Sequence, residues 1–480
     1  MMRQIFNGFD MVNADISIEV AATLFVTIRE FIMIVAIGVA ISSLDDLFVD
    51  LIYILRFCWR RLFIYTRYPR ARAVDLRRAD PGWIAIIVPA WDESAVIGDM
   101  LRHSLATLDY PRYRMFVGTY LNDQATISEV QAIADDRIAC VTVGWNGPTT
   151  KADCLNALWR AAVVHERSVG IRFKALVLHD AEDVVDRNEL NVFDHLIPKL
   201  AMVQLPVMPL PDRNSPWVAG HYMDEFAEAH TKDIIVREAI GAAVPSAGVA
   251  CAIERAMLGR IAALAGDLPF DATCLTEDYE LGLKIRSLGG RGALARIRSE
   301  TGTAAVATRE HFPGTLDSAI RQKSRWLLGI ALQGWDRLGW PGGLMDRWML
   351  IRDRKSVITA LLTLLAYFAL LLAVLFAAAR AVYPPIQAFP ALVPPDSNMA
   401  ALLTLNSLVL GWRLFMRGLF TARVHGWREG LFSLPRALVG NYINFRAAAR
   451  ALRRYIAIAL RRERNIWEKT DHRFPSKKLG

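Results

Sequence analysis

Trp83-Ile84-Ala85-Ile86-Ile87-Val88-Pro89-Ala90-Trp91-Asp92-Glu93 is the stretch whose reading decides the fold. An unbroken apolar run of this length, closed by a proline, reads as a buried strand. Working outward, Ser94 to Leu108 reads as an amphipathic helix with Ser94 as its N-cap. Arg114 to Tyr120 is a second strand, Thr126 to Ala134 a helix, and Ile138 to Val143 a third strand. Lys151 to Ser168 is a helix and Lys174 to His179 a fourth strand. Strands alternating with helices predict an α/β domain, a mostly parallel sheet with helices on both faces. In such a sheet the ligand sits beyond the C-terminal ends of the strands.

What stands at those ends is therefore informative. The first strand runs out into Pro89, Ala90, Trp91, Asp92 and Glu93, the second into Asn122 and Asp123, the fourth into Asp180, Ala181, Glu182 and Asp183. One acidic strand end is commonly a helix cap or a solvated turn. Three on one rim repel one another unless a cation neutralises them. Oxygen ligands suit Mg²⁺ or Mn²⁺, and such an ion bridges phosphate oxygens. Further on, Thr276-Glu277-Asp278 precedes a helical run from Tyr279 to Leu288, and taken alone could be an ordinary helix start. Gln322, Arg325 and Trp326 share one helix face by their spacing, where a plain interfacial helix would also place a Trp.

The rest of the chain bounds where this domain works. Of its 480 residues, 53% are hydrophobic, which predicts a globular core plus a few membrane spans. Val357 to Ala379 carries no charge and is long enough to cross a bilayer. Asn398 to about Met416 is a second candidate, with Arg413 able to snorkel. The N-terminal candidate, 20–43, contains Arg29 and Glu30, each costing about 2.5–3.5 kcal/mol at the bilayer centre. An amphipathic stretch from Leu44 to Tyr65 is expected to follow it as a separate element, at the interface or crossing again. The first apolar run follows an acidic stretch without a basic leader, so no cleaved secretion signal is expected.

The net charge of +9 is concentrated at 56–78 and 413–478, beside the apolar segments. That pattern points to anionic lipid. No Gly-rich or aromatic RNA-binding motif accompanies it, so nucleic acid is not an expected partner. The five cysteines are scattered without a CxxC pair, which excludes a disulfide framework or a zinc site of that type and fits a reducing compartment.

In order, PAWDE, NDQAT, KADCLN, DAED, TED, QKSRW and a long apolar span resemble glycosyltransferase family 2, of the GT-A (Rossmann-like) fold. Within that family the chain is similar to the processive membrane synthases of cellulose, chitin and hyaluronan. LDDLFVDL, YLNDQAT and the tail WEKTDHRFP make it resemble the bacteriophage adsorption protein B family of bacterial inner-membrane glycosyltransferases. The resemblance covers residues 19–476.

It implies a nucleotide-sugar donor of the UDP-sugar type, a glycan acceptor, and Mg²⁺ or Mn²⁺. Pro89, Ala90, Trp91 and Glu93 match the segment around uracil and ribose, and Asn122 and Asp123 the second nucleotide contact. Lys151 matches the lysine near the diphosphate. Asp180 and Glu182, with Asp183 beside them, match the metal-binding DxD, which Asp180 shares with the donor. Asp278 of the Thr276-Glu277-Asp278 triplet matches the general base. Gln322, Arg325 and Trp326 match QxxRW, at the acceptor end and diphosphate. The chain departs from the pattern at Glu182, where the motif has Asp, and at Asn122, where many members carry Asp.

Implied domains are N-terminal membrane and interface helices over 1–65, a cytoplasmic catalytic domain over 66–340, and membrane and basic interface helices over 341–480. An export partner in the periplasm or outer membrane would fit a secreted polysaccharide. A non-processive transferase to a lipid-linked acceptor, or a non-enzymatic receptor component with the same body, are the alternatives.

The loop 381–397 has no Lys or Arg, whereas arginines crowd the segments after the first and third spans. The positive-inside rule then places the N-terminus and this loop outside and the C-terminus inside. Reporter fusions at Pro394 and Gly480 should report opposite sides of the membrane, and the same side for both would defeat the three-span topology.

Overall fold

Trp83–Pro89 is a strand, β1, within a seven-stranded sheet in the computed structural model, which describes residues 2–300, 304–382, 384–387, 389–461 and 473–475. The others are β2 (Tyr113–Tyr120), β3 (Ile138–Val143), β4 (Phe173–Leu178), β5 (Met202–Gln204), β6 (Val207–Pro209), β7 (Cys251–Glu254), β8 (Gly292–Leu294) and β9 (Thr308–Glu310). The large sheet runs β3-β2-β1-β4-β7-β5-β8, and β6 and β9 form a separate parallel pair. β1, β2, β3 and β4 are mutually parallel where they pair. Between β4 and β5 lies β7, antiparallel to both, an insertion the alternating pattern did not announce.

β1 shows why its sequence is apolar throughout. Ile84, Ile86 and Val88 enter one core cluster, and Ala85 and Ile87 enter the other. Successive side chains leave opposite faces of a strand, so a strand covered on both faces cannot alternate with polar residues. Each buried Ile contributes about 1.5–3 kcal/mol.

The helices following β1 and β2 are Ile97–Thr107 and Gln124–Gln131. The first starts later than expected, and Ser94 does not cap it. Instead the carbonyl of Glu93 accepts the N–H groups of Val96 and Ile97 at 3.0 and 2.9 Å, which closes a turn ahead of the helix. Lys151–Val169 starts where expected, because Thr150 and Asp153 form a capping box there.

The chain divides into two compact units, residues 1–50 with 357–416, and residues 51–356 with 417–480. The first is helical. Phe25, Ile32, Val35, Ala369 and Met399 bury its centre. Trp412 Nε1 donates to Asp50 Oδ2 at 2.9 Å, and Asn406 Nδ2 to the carbonyl of Ala36 at 2.9 Å. Three helices, Glu19–Ile64, Ser356–Val382 and Asn398–His425, are long and apolar enough to cross a membrane. The expected separate element after residue 43 is corrected. Met2–Trp59 is one helix, continued by a π-helical turn at Arg60–Ile64. Neither Gly nor Pro occurs between Gly38 and Tyr65, so nothing interrupts it.

The second unit holds the sheet and the basic C-terminal helix Trp427–Arg461. Arg436 of that helix is 1% exposed. It donates to Asp224 Oδ1 and Glu429 Oε2, both at 2.8 Å, while Arg417 donates to Asp224 Oδ2 at 3.0 Å. Removing one partner of a buried ion pair leaves an uncompensated charge. Arg436→Ala should therefore destabilise the protein by about 3–5 kcal/mol, read as a lowered unfolding midpoint in detergent, with Arg417 softening the loss at Asp224.

Candidate active site

The rim of the sheet is where the chain's chemistry converges. The end of β1 supplies Pro89 and Glu93, and the end of β4 supplies Asp180 and Glu182. The helices beginning at Lys151 and Glu277 supply Lys151 and Asp278, and the helix Leu316–Trp326 supplies Gln322, Arg325 and Trp326. All nine line one cavity of about 100 Å³. Thr276 and Glu277 line a smaller one of about 50 Å³ that shares Lys151, Asp278, Arg325 and Trp326 with it.

Lys151 is the positive centre. Its Nζ lies 2.5 Å from Asp180 Oδ1. Burial opposes its charge, but Asp180, Glu277 and Asp278 outweigh burial and hold the ammonium form above its ordinary range. Asp278 is the second residue of the helix Glu277–Ser287, and Thr276, not Asp278, takes the N-cap position. The expected start at Tyr279 is thus two residues late, and the capping role falls away from Asp278. Its Oδ1 accepts the Tyr279 N–H at 2.7 Å. Burial pushes its pKa up and Asp180 adds to this, while Lys151 and Arg325 pull it down. Burial and the Asp278 charge push the neighbouring Glu277 up to about 7.

Two glycines make room for this triplet. Gly248, at φ +80°, lies where a Cβ would overlap the Asp278 carboxylate. A Cβ at Gly329 would overlap the Thr276 side chain. Gly329 belongs to the π-helical turn Leu327–Gln333 that follows Trp326. Lys323, on the other side of that helix, is buried and holds Glu225 Oε1 at 2.5 Å and Asn444 Oδ1 at 2.7 Å. With Lys323 anchored, Gln322, Arg325 and Trp326 are left facing the cavity.

Other expected site residues stand elsewhere. Asp183 is fully buried and turned inward, where Oδ2 meets His179 Nδ1 at 2.6 Å and accepts the Asp180 N–H at 3.2 Å. It therefore braces the acidic turn from behind and does not line the cavity. Burial lowers the pKa of His179, but Glu189 and Asp183 overcome this and raise it to about 10. Asp123 is spent on the backbone, accepting from Asp92 N at 2.6 Å and Thr126 N at 3.2 Å. Asn122 clamps the loop after β3 through both the N–H and the carbonyl of Gly147, at 2.8 and 2.9 Å. Trp91 packs edge-on to Tyr120, with ring centroids 5.2 Å apart, and against Gly147. Ala90 is fully buried.

Glu310 of β9 is a residue that sequence reasoning missed. It lines the cavity opposite Asp180 and Glu182. Burial first, then Asp183, Glu182 and Asp180, raise its pKa well above the carboxylate range. The segment TREHF carries no motif, and its acid reaches the site through the pairing of β9 with β6.

Residues 81–329 match the model of the glycosyltransferase-like family 2. The chain belongs to this family. Its sheet is the mostly parallel one of the GT-A fold. The chain is also 35% identical over 476 residues to bacteriophage adsorption protein B of Escherichia coli K12 and to bacteriophage N4 adsorption protein B of Escherichia coli O157:H7. These matches cover 96% of this chain and 64% of each relative, so the chain spans about two thirds of their length. Among solved structures it is similar to the mannosyltransferase PcManGT of Pyrobaculum calidifontis, a complex with GDP-Man and Mn²⁺. There the TM-score is 0.53 at 16% identity, over 88% of this chain and 99% of that one.

In this pocket Glu277 and Asp278 compete for charge. Below a pH of about 7 Glu277 gains a proton. A group that must act as a carboxylate loses function as it protonates, so sugar transfer should fall on the acid side of that value. Glu277→Gln removes the like charge beside Asp278 and should move the acid limb of the rate profile to lower pH. An unmoved limb would uncouple Glu277 from the reaction.

Proposed function

We propose that this glycosyltransferase moves a sugar from a nucleotide donor of the UDP type to a growing surface or secreted glycan, inverting the anomeric carbon. The observation that carries the reading is the grouping of Asp278, Lys151, Asp180 and Arg325 in one cavity. A carboxylate stands beside the cations that a leaving diphosphate needs.

Asp278 removes the proton of the acceptor hydroxyl as general base. Thr276 and Glu277 shape its position and charge. Lys151 and Arg325 stabilise the negative charge that develops on the diphosphate. Gln322 and Trp326 hold the acceptor end. Pro89 and Glu93 receive the nucleotide, with Trp91 beside them. The cavity of about 100 Å³ is smaller than the roughly 300–1,000 Å³ that buries a ligand of this size, so the nucleoside lies along the open rim.

The acid cluster fits a divalent cation of the Mg²⁺ or Mn²⁺ class. Burial and the neighbouring Asp183, Glu182 and Asp180 push Glu310 towards its neutral form, so the acids here outnumber what Lys151 offsets. Among the described residues no three His, Cys, Asp or Glu side chains converge as a complete ligand set. That suits an ion taking one or two carboxylates, here Asp180 and Glu182, and completing its shell with phosphate and water. Bound there, it would neutralise the diphosphate. The Mn²⁺ and GDP-Man of the structurally similar mannosyltransferase support a divalent ion and a nucleotide sugar.

The three apolar helices and flanking arginines support a multi-pass protein of the bacterial inner membrane with a cytoplasmic catalytic domain. The name of the two relatives, phage adsorption proteins, supports a product that reaches the cell surface.

Two substitutions separate the roles. Asp180→Asn should weaken donor binding in the presence of Mn²⁺. Asp278→Asn should leave UDP binding nearly intact and cut turnover by about 10²–10⁴-fold, since the interaction it removes belongs to the transition state. Near-normal transfer by Asp278→Asn, measured as UDP release across a panel of UDP-sugars, would reject its role as base.

A further inference from the structure

A cavity larger than the donor pocket lies elsewhere in the sheet-bearing unit. It has a volume of about 740 Å³ and is lined by Arg60, Arg70, Arg296, Arg298, Arg309 and Arg423. Among the described residues no Asp or Glu lines it. An adjoining cavity of about 470 Å³ shares Arg60, Arg70, Arg296 and Arg423, and adds Arg56 and Arg61.

These arginines come from four parts of the chain. Arg60 opens the π-helical turn that ends the first long helix, and Arg70 follows on the next segment. Arg296 and Arg298 follow β8, Arg309 is in β9, and Arg423 closes the helix Asn398–His425. The two-stranded sheet separates this cavity from the donor pocket. Met208 and Arg309 face the cavity, while Val207 and Glu310 face the pocket.

A solvated basic face would spread its charges apart. Here Arg70, Arg296, Arg298 and Arg423 are exposed and Arg60 and Arg309 half-buried, yet all six line one shared space. Arg60 and Arg70 both stack on Tyr65, with guanidinium carbons 5.0 and 4.3 Å from the ring centroid. The Arg60 Nε is buried and has no hydrogen-bond partner among the described residues. Burial, with Arg70 and Arg60 nearby, lowers the pKa of Arg296. A guanidinium does not shed its proton at physiological pH, so such repulsion is relieved by a bound anion. Fork-shaped donors converging on one space match phosphate oxygens in particular.

We propose that this arginine-lined cavity is a second binding site, separate from the donor pocket, for a phosphate-bearing ligand. Its volume exceeds that of a single phosphate and suits a diphosphate or a phosphodiester with its substituents. Two sources supply that chemistry, a soluble phosphorylated molecule or the headgroup of an anionic lipid. The second is available because Arg60 and Arg423 stand at the ends of helices apolar enough to span a membrane.

The test uses the full chain in EDTA, which silences a divalent-dependent donor pocket. Inorganic pyrophosphate is titrated calorimetrically into protein held in nanodiscs of phosphatidylcholine alone, or of phosphatidylcholine and phosphatidylglycerol in equal amounts. Native mass spectrometry then reads retained lipid. A soluble ligand predicts saturable pyrophosphate binding in both discs. A lipid headgroup predicts retained phosphatidylglycerol and pyrophosphate binding suppressed by it.

In either case the double substitution Arg296→Gln with Arg298→Gln should weaken binding by about 10–100-fold, the worth of one or two charge-assisted hydrogen bonds. UDP binding with Mn²⁺ should not change. Arg70→Gln, on an exposed segment, gives a second reading should the double variant unfold. Absence of binding by both probes, or equal binding by the folded variants and the unaltered protein, overturns the proposal.

Discussion

Carboxylates gathered inside a fold repel one another unless a positive charge stands among them, and here Lys151 is that charge. Asp180 approaches it from the end of β4, and Glu277 and Asp278 from the start of a helix nearly a hundred residues further along. The capping box of Thr150 and Asp153 fixes where the Lys151 helix begins, and so where the ammonium stands. Behind Asp180, the buried His179 holds Asp183 and Glu189 and keeps their charges from adding to the front. The Lys151–Asp180 pair also closes the pocket on itself. Under the proposed function, a diphosphate arriving with a cation would offer each partner a replacement, the phosphate for the lysine and the cation for the aspartate.

The position of the acceptor-side helix has a less obvious source. The basic helix Trp427–Arg461 reads, by composition, as one lying against lipid. Its Arg436 is nevertheless buried with Asp224, and its Asn444 meets Lys323. The helix that carries Gln322, Arg325 and Trp326 is thus held from behind by residues over a hundred positions downstream.

Much of this was legible in the sequence because it depends on local pattern. The runs at 83–89 and 138–143 become strands at those residues, since a continuous apolar run closed by turn residues has few other solutions. The rim position of Asp180 followed from the same alternation, whereas Lys151 was singled out only by the family resemblance. Less could be read where an acid has a competing local task. Asp123 and Asn122 look like ligand groups at a strand end, yet their side chains are taken by neighbouring backbone. Long-range pairing hides more. Glu310 and Arg309 reach their sites through β9, whose partner β6 lies about a hundred residues earlier. The arginines near residues 60 and 423 read individually as lipid anchors. Their convergence with Arg296 and Arg298 needed the fold.

β9 has a further consequence for how sequences of this kind can vary. Within it, Arg309 and Glu310 point to cavities of opposite sign. A slip of one residue exchanges the two faces of a strand, which would carry a guanidinium into the acid pocket and a carboxylate among the arginines. A single inserted or deleted residue at this strand would therefore damage both cavities together. Length changes between it and β8 are tolerable where the connecting loop absorbs them, and substitution, more than insertion, is the route open to the strand itself.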